Sequence, residues 1–382
     1  MVYLDYSATT LVNDDVLNTF IKVSKEFPGN ANSLHDLGLK SRDLMKSSVK
    51  QMADLLNVFE DEIILTSGAS EANNLALKGI AFKYKNRGKH IISTKLEHSS
   101  VLNTLNYLET LGYEIDYLEI LPDGKIDIND LKKKIRDDTI LVSISQVNSE
   151  IGIIQDIDLI GKILKEYKKV IFHVDGTQAV GKIKVNLASV DLYSFSGHKI
   201  YGLDGVGCLV KKRGIELTPL IHGGKSQTIY RSGTPCVALY ASLAKAWRLV
   251  LTDFNEKYNH VEELNKYLKD KLQEIDGVII NSNSNCVYHI VNLSVLGIKP
   301  ETMLHALASK DIYISTKTAC SDDASLSLSV LEFTKNKDLA KSSIRISLSY
   351  LTTKEEVDIL VNEIKNAKEH LSLKWEYLIV KI

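Results

Sequence analysis

The stretch "DLYSFSGHKIYGLDGVG", Asp191 to Gly207, opens as a strand carrying Leu192, Tyr193 and Phe195 and then stops in small residues. The turn that ends it presents His198 and Lys199 side by side with glycines on both sides, so a primary amine stands where an ordinary turn needs none. Such an amine needs a partner. Outward from this stretch, strand-like runs alternate with helix-like ones: "EIILTSG" after the helical spacing of Leu44, Val49, Met52, Leu55 and Leu56, then "HIIST", "YEIDYLEIL", "TILVSISQV", "VIFHVDG" and, beyond the stretch itself, "VGCLVKK". That alternation predicts an α/β fold with a mainly parallel sheet flanked by helices. Several runs are apolar without clean alternation, as in strands covered on both faces. The chemistry is then expected at the C-terminal ends of the strands.

The chain has 382 residues, more than the ~250–300 at which one core stops growing, so a second domain is expected. From about Pro235 to Leu272 the pattern turns helical, with Pro235 suited to a first helical turn, and reads as a connector. Beyond it, "VYHIVNLSV", "IYIS" and "SSIRISLS" read as short strands, with helices around Glu301 and Glu355, a smaller α+β unit. The last residues, "SLKWEYLIVKI", are apolar enough to dock a partner but read first as a strand packed on its own domain. The division predicted is an N-terminal segment over 1–14 joining the small domain, a large domain over 15–255 and a small domain over 256–382.

Lys and Arg total 47 against 48 Asp and Glu, a formal net charge of -1, so no global field favours nucleic acid or an anionic membrane. A small neutral or zwitterionic substrate fits better. No basic segment followed by an apolar one opens the chain, and no later run approaches the ~18 apolar residues that span a bilayer, so a cytoplasmic location is expected. Four cysteines, Cys208, Cys236, Cys286 and Cys320, are too scattered for a disulfide framework and form no CxxC metal pair. Cys208 in "VGCLV" and Cys236 in the helical run read as buried and inert, and Cys286 in "NSNSNC" as exposed. Cys320, in "ISTKTACSDDASLSLSV", sits in a loop composition of Ser, Thr, Asp and Ala.

Three strand ends carry candidate chemistry. "LTSGASEANN" places Thr66 to Ser70 just before a helix, where backbone N–H groups bind phosphate, although alone it equally reads as an N-cap. "VIFHVDGTQAVG" ends a strand on Asp175, a carboxylate that is costly to bury without a cation or donor and that alone reads equally as a loop cap. Lys199 follows about one strand and its connection later, so the two can meet at neighbouring strand ends. A lone lysine is usually a solvated charge. Together, an anion-binding helix start, a carboxylate and a reactive amine are what pyridoxal phosphate requires.

At this point the residues resemble a family, the cysteine desulfurases of the NifS/IscS type within the fold-type I pyridoxal phosphate enzymes. "YLDYSATT", "TSGASEANNLALKG", "EHSSV", "VNSEIGIIQDI", "HVDGTQAVGK", "SFSGHKIYG", "RSGT" and "SSIRISL" follow in the family's order, nearly end to end. The resemblance implies Lys199 as the Schiff-base lysine, Asp175 as partner of the pyridine nitrogen and Gln178 as a donor near the ring oxygen. It implies His98 stacked on the ring, with Ala69, Ser70, Ser196 and His198 on the phosphate and Ser149 near the ring. On the same resemblance Thr234 of "RSGT" would reach the phosphate of the other subunit, which implies a homodimer. The resemblance also implies that Arg345 clamps the substrate carboxylate, a task suited to a planar guanidinium, though by itself it reads as a surface salt bridge. Cys320 coincides with the family's loop cysteine that takes sulfur from L-cysteine, leaving alanine and a persulfide for a protein sulfur acceptor, as in iron–sulfur cluster biogenesis.

Four departures accompany the resemblance. Ser149 stands for the asparagine of the family's "VNNE", Lys225 enters near "RSGT", Lys317, Asp322 and Asp323 surround Cys320, and Tyr350 replaces the arginine of "SLGR". Two aspartates raise a thiol's pKa and a lysine lowers it, so the net sign is not legible. Two other readings keep part of the evidence: another enzyme of the same fold, an aminotransferase or a selenocysteine lyase, and a scaffold subunit that binds cofactor and turns over poorly.

Overall fold

The structure is a computed structural model that describes residues 1–224, 226–316 and 326–379, with residues 372–379 by backbone alone. Its strands are β1 (Val2–Tyr3), β2 (Ile63–Thr66), β3 (His90–Ser93), β4 (Glu114–Tyr117), β5 (Thr139–Ser145), β6 (Ile171–Asp175), β7 (Leu192–Ser196), β8 (Gly207–Lys211), β9 (Val278–Ile280), β10 (Ile290–Val295), β11 (Ile312–Tyr313) and β12 (Ser343–Ser347). A seven-stranded sheet runs in the order β2-β8-β7-β6-β5-β3-β4. Its pairs are parallel except those of β8, which lies antiparallel between β2 and β7.

The expected mainly parallel sheet with helices on both faces is what forms, and burial explains its composition. Strands β5 to β8 are buried along their whole length, while the edge strand β4 is partly exposed and carries Glu114 and Asp116. A charged outer strand is a common guard against edge pairing. The helices Ala69–Tyr84 and Ser99–Thr110 bury Leu75, Leu77, Ile80, Leu105 and Leu108 in one apolar layer. A second layer contains Phe172, Val174, Phe195, Leu243 and Trp247, the last two from helix Val237–Leu251.

Two glycines permit close approach at the strand ends. A Cβ on Gly176, just after β6, would lie 1.9 Å from the Tyr193 ring, and one on Gly207 would lie 2.6 Å from the Gly68 Cα. Gly207 therefore lets β8 press against the turn that opens helix Ala69–Tyr84.

The remaining strands form the antiparallel sheet β12-β10-β9 and the parallel pair β1-β11. Leu4, Val261, Leu268, Val291, Leu293, Ile344, Ile346 and Leu360 share a separate core with them, so the N-terminal strand packs on the C-terminal part of the chain. Helices Phe254–Gln273, Pro300–Ala308 and Lys354–Ile379 cover this sheet.

Three local expectations change. Pro235 precedes its helix, which begins at Val237 with Cys236 as N-cap, and the helical stretch breaks at Asp253, whose φ is 54°. The C-terminal residues expected as a strand continue the helix Lys354–Ile379, because "SLKWEYL" contains no breaker after a long helical run. Among the described residues, no helix is long and apolar enough to cross a membrane.

Candidate active site

Parallel strands place their C-terminal ends on one edge, and there a cavity of about 410 Å³ opens. Ala69, Ser70, His98, Ser149, Asp175, Gln178, Ser196, His198, Lys199 and Arg345, all singled out in the sequence, line it. Ser7 and Ala8 reach it from the N-terminal segment and Ser315 from beyond β11.

The acid and the amine arrive on adjacent strands. Asp175 ends β6, pairs with Ser194 of β7, and is 5% exposed. Its Oδ2 accepts from Asn73 Nδ2 at 2.8 Å and its Oδ1 from the Thr177 N–H at 3.0 Å. Among the described residues no side-chain cation ion-pairs with it, so a buried carboxylate is held by neutral donors alone and still favours a cationic partner. Lys199 follows β7 in a one-turn 3-10 helix, and its Nζ donates to the carbonyls of Ser7 at 2.6 Å and Ala8 at 2.5 Å. Burial first, and the Arg345 guanidinium second, pull its pKa down to about 8, against the opposing pull of Asp5, Asp175 and Asp204. About a tenth of the amine is therefore free at pH 7, far more than for an ordinary lysine, as a nucleophile or proton acceptor requires.

On the wall next to Asp175, His98 caps helix Ser99–Thr110. Its Nδ1 accepts from the Ser100 N–H at 3.1 Å and lies 2.9 Å from Ser100 Oγ, which receives Asn73 Nδ2 at 2.9 Å. The network assigns the ring proton to Nε2. Burial lowers the His98 pKa, so the ring is neutral and suited to stacking. Asn73 thus bridges the histidine and the carboxylate. The sequence reading missed it, although an asparagine between Ala72 and Leu75 on a buried helix face was the available signal.

Helix Ala69–Tyr84 begins at Gly68 with no side-chain cap, which leaves its first N–H groups directed at the cavity beside Ser196 and His198. Glu71 of its first turn accepts the Ser67 N–H at 2.7 Å and is neutralised by Arg231 at 3.0 Å. Opposite, Arg345 of β12 is 2% exposed, not on the surface. It donates through Nη1 to the Ser149 carbonyl at 2.8 Å and through Nη2 to Asp5 at 3.0 Å, while its buried Nε has no partner. Thr177 Oγ1 and Ser7 Oγ, both of cavity-lining residues, are likewise buried without partners.

Thr234 is exposed and does not line the cavity of its own chain. Cys320, Lys225, Lys317, Asp322 and Asp323 lie outside the described residues. The readings of two other cysteines are reversed: Cys236 is exposed as the N-cap of its helix, and Cys286 is buried. Burial pushes the Cys286 thiol up to about 11, and that of Cys208 higher still. The Asn/Ser-rich run around Cys286 signalled a loop, but its Asn281 and Ser282 are themselves buried and hydrogen-bonded, to Asn292 and to the Ile151 carbonyl.

Comparison with known proteins agrees with this geometry. Residues 2–360 match the family model for aminotransferase class-V. A NifS/IcsS protein homolog of Lactobacillus delbrueckii subsp. bulgaricus is 42% identical, over 97% of this chain and 98% of its own. A protein of Buchnera aphidicola subsp. Baizongia pistaciae named cysteine desulfurase IscS is 40% identical over 98% and 95%. A solved NifS-like protein superimposes with a TM-score of 0.91 at 34% identity, covering 97% of this chain and 99% of that one.

Proposed function

The chain belongs to the aminotransferase class-V family and is an enzyme of the cysteine desulfurase type, and from that premise we propose that it converts L-cysteine to L-alanine and passes the sulfur to Cys320 as a persulfide. The observation that carries this reading is the meeting of a depressed amine, a cation-free buried carboxylate and an uncapped helix start in one cavity.

The same three features suit pyridoxal phosphate. The open N–H groups at Ala69 and Ser70, with Ser196 and His198, accommodate a phosphate, Asp175 accommodates a protonated ring nitrogen, and the unpartnered Thr177 hydroxyl offers one more bond. When bound, the cofactor supplies an electrophilic carbon for amines and a protonated ring that takes up the electron pair released at the substrate Cα. His98 would offer its neutral face to the cofactor ring, and the Asp175 carboxylate would favour a proton on the ring nitrogen.

Arg345 orients the substrate carboxylate, with Asp5 and the Ser149 carbonyl holding the guanidinium in place. Lys199, depressed to about 8, removes the Cα proton and returns it. The Cys320 thiolate attacks the substrate sulfur: the Sγ–S bond forms, the Cβ–S bond breaks, and the electron pair left at carbon is protonated to give alanine. The persulfide then passes to a protein acceptor. Thr234, exposed outside its own cavity, serves the phosphate of a second subunit in a homodimer, and the enzyme works in the cytoplasm.

The experiment separates carbon from sulfur. The purified protein should be yellow, and cysteine should perturb its visible spectrum in both the unmodified enzyme and Cys320→Ser. Only the former should release alanine and carry an added sulfur, located by mass spectrometry on the Cys320 peptide. Normal sulfur release by Cys320→Ser would transfer the assignment to a lyase that does not use this thiol.

A further inference from the structure

Lys182 is a buried lysine that the chemistry above leaves unused. It follows β6 by one loop, is 5% exposed, and places its Nζ 2.5 Å from Gln178 Oε1. Gln178 Nε2 donates to the Ser7 carbonyl at 2.9 Å, the same carbonyl that receives Lys199 Nζ at 2.6 Å. A short chain of polar groups therefore joins the buried amine to the reactive one through the wall of the cavity.

The two ends of a glutamine amide are nearly equal in shape, so its orientation is set by its partners. With an amine donor at one end and a carbonyl at the other, one orientation satisfies both. The flipped amide would set oxygen against the Ser7 carbonyl and hydrogens against Lys182. We propose that Lys182 is a positioning residue that fixes the polarity of Gln178, holding its Nε2 toward Ser7 with the second hydrogen available to a bound cofactor. The proposal rests on the cofactor reading above.

Either protonation state of Lys182 can donate this bond. Burial pushes its pKa well below the ordinary lysine value, and Lys199 and Arg345 add to the effect. His289, held down to about 3 by burial first and Lys182 second, is a further basic group within its reach. Among the described residues no carboxylate ion-pairs with Lys182. A buried amine without a counter-ion is a poor way to stabilise a fold, and an apolar side chain of similar length should serve the fold as well or better. Its placement is explained by the amide it orients.

The test uses the holoenzyme and its cofactor. Lys182→Met should weaken pyridoxal phosphate binding about fivefold to tenfold, the value of one oriented hydrogen bond, and shift the visible absorption maximum or its pH midpoint. The thermal midpoint of the cofactor-stripped chain should stay equal or rise, and Lys182→Arg, which keeps a donor, should restore the spectrum. Gln178→Leu should cost at least as much as Lys182→Met, and the double variant should be no worse than Gln178→Leu alone. Unchanged affinity and spectrum in Lys182→Met, additive losses in the double variant, or a stripped chain melting many degrees lower would each overturn the proposal. Failure of the unmodified protein to bind the cofactor would instead remove the reading on which it rests.

Discussion

Two sets of buried polar side chains sit only residues apart on the central strands, and the fold treats them oppositely. In the first, His173 of β6 lies between Ser143 of β5 and Ser194 of β7, with Nδ1 2.8 Å from one hydroxyl and Nε2 2.9 Å from the other. All three are fully buried, and both ring nitrogens are engaged. In the second, two to five residues further along and joined by Ser7 of the N-terminal segment, Asp175 has no ion-pair partner among the described residues, Thr177 and Ser7 keep unpartnered hydroxyls, and Lys199 rests on two carbonyls. Buried polar groups are normally satisfied, so a closed set belongs to the fold and an open one to a ligand. The boundary between structure and chemistry falls between residues 173 and 175 of one strand.

The largest effect should come from the open set. Lys199→Ala should lower turnover by at least about a thousandfold, the loss expected on removing a group that is both nucleophile and proton carrier. It should not lower the thermal midpoint, since it removes a largely buried charge held by two carbonyls with no counter-ion among the described residues. An amine reagent applied to the stripped chain should modify Lys199 half-maximally near pH 8, well below the surface lysines. If Lys199→Ala unfolds the protein, or labels of Lys199 and surface lysines rise together, the contrast between the two sets collapses.

The closed set should respond the other way. His173→Leu orphans two buried hydroxyls, which should cost about 2–4 kcal/mol of stability. Adding Ser143→Ala and Ser194→Ala should return much of it, because no polar atom is then left unpaired. A chemical-denaturation series over the single and triple variants checks this, and equal stability of the two would show that the His173 bonds carry no such weight.

Much of the open set was legible because Asp175 ends one apolar strand and Lys199 lies in the turn just past the next, where a polar residue breaks the pattern visibly. The sheet was legible for the same reason, its strands being short apolar runs between helical periods. Residues brought in by long-range pairing were not. Ser7 lines the cavity and Asp5 holds Arg345 where β1 pairs with β11, hundreds of positions away; residues 1–14 are expected to join the small domain, but the short "VYLDY" has no feature that assigns either residue to the site. Arg345 was legible through family resemblance, not through its own pattern, and its burial against Asp5 depends on the same pairing. Asn73 lies one turn into an apolar helix face and was passed over as helix composition. Cys236 and Cys286 were misjudged because loop or helix composition reports backbone state, while exposure depends on what packs above it.

A smaller effect on stability separates the sets by pH. Burial holds His173 down to about 4, with Asp175 pulling the other way, whereas the unfolded histidine takes its proton near 6.5. The unfolded chain binds more protons between these values, so stability is present above pH 6.5 and is lost as the pH falls through the window toward 4. His289, at about 3, and His198, at about 4, add to the same acid loss. The thermal midpoint should therefore fall from pH 7 to pH 4.5, and fall less steeply in the triple variant. Parallel profiles would remove His173 from the account.

The smallest effect probes whether the open set is completed from outside its own chain. Thr234 is exposed and absent from its own cavity, whereas Arg231 in the same loop is tied to Glu71 beside the helix start. If a second subunit receives the threonine hydroxyl, Thr234→Val should weaken cofactor retention about fivefold, one hydrogen bond's worth, and leave the dimer intact by light scattering. Mixed dimers decide which chain the residue serves. A Thr234→Val subunit paired with a Lys199→Ala subunit keeps its own Lys199 and receives an intact Thr234 from its partner, so that site should hold cofactor as tightly as the unmodified enzyme. Were Thr234 to act within its own chain, the mixed dimer would keep the fivefold weakness, and a fully active monomer would exclude a shared site altogether.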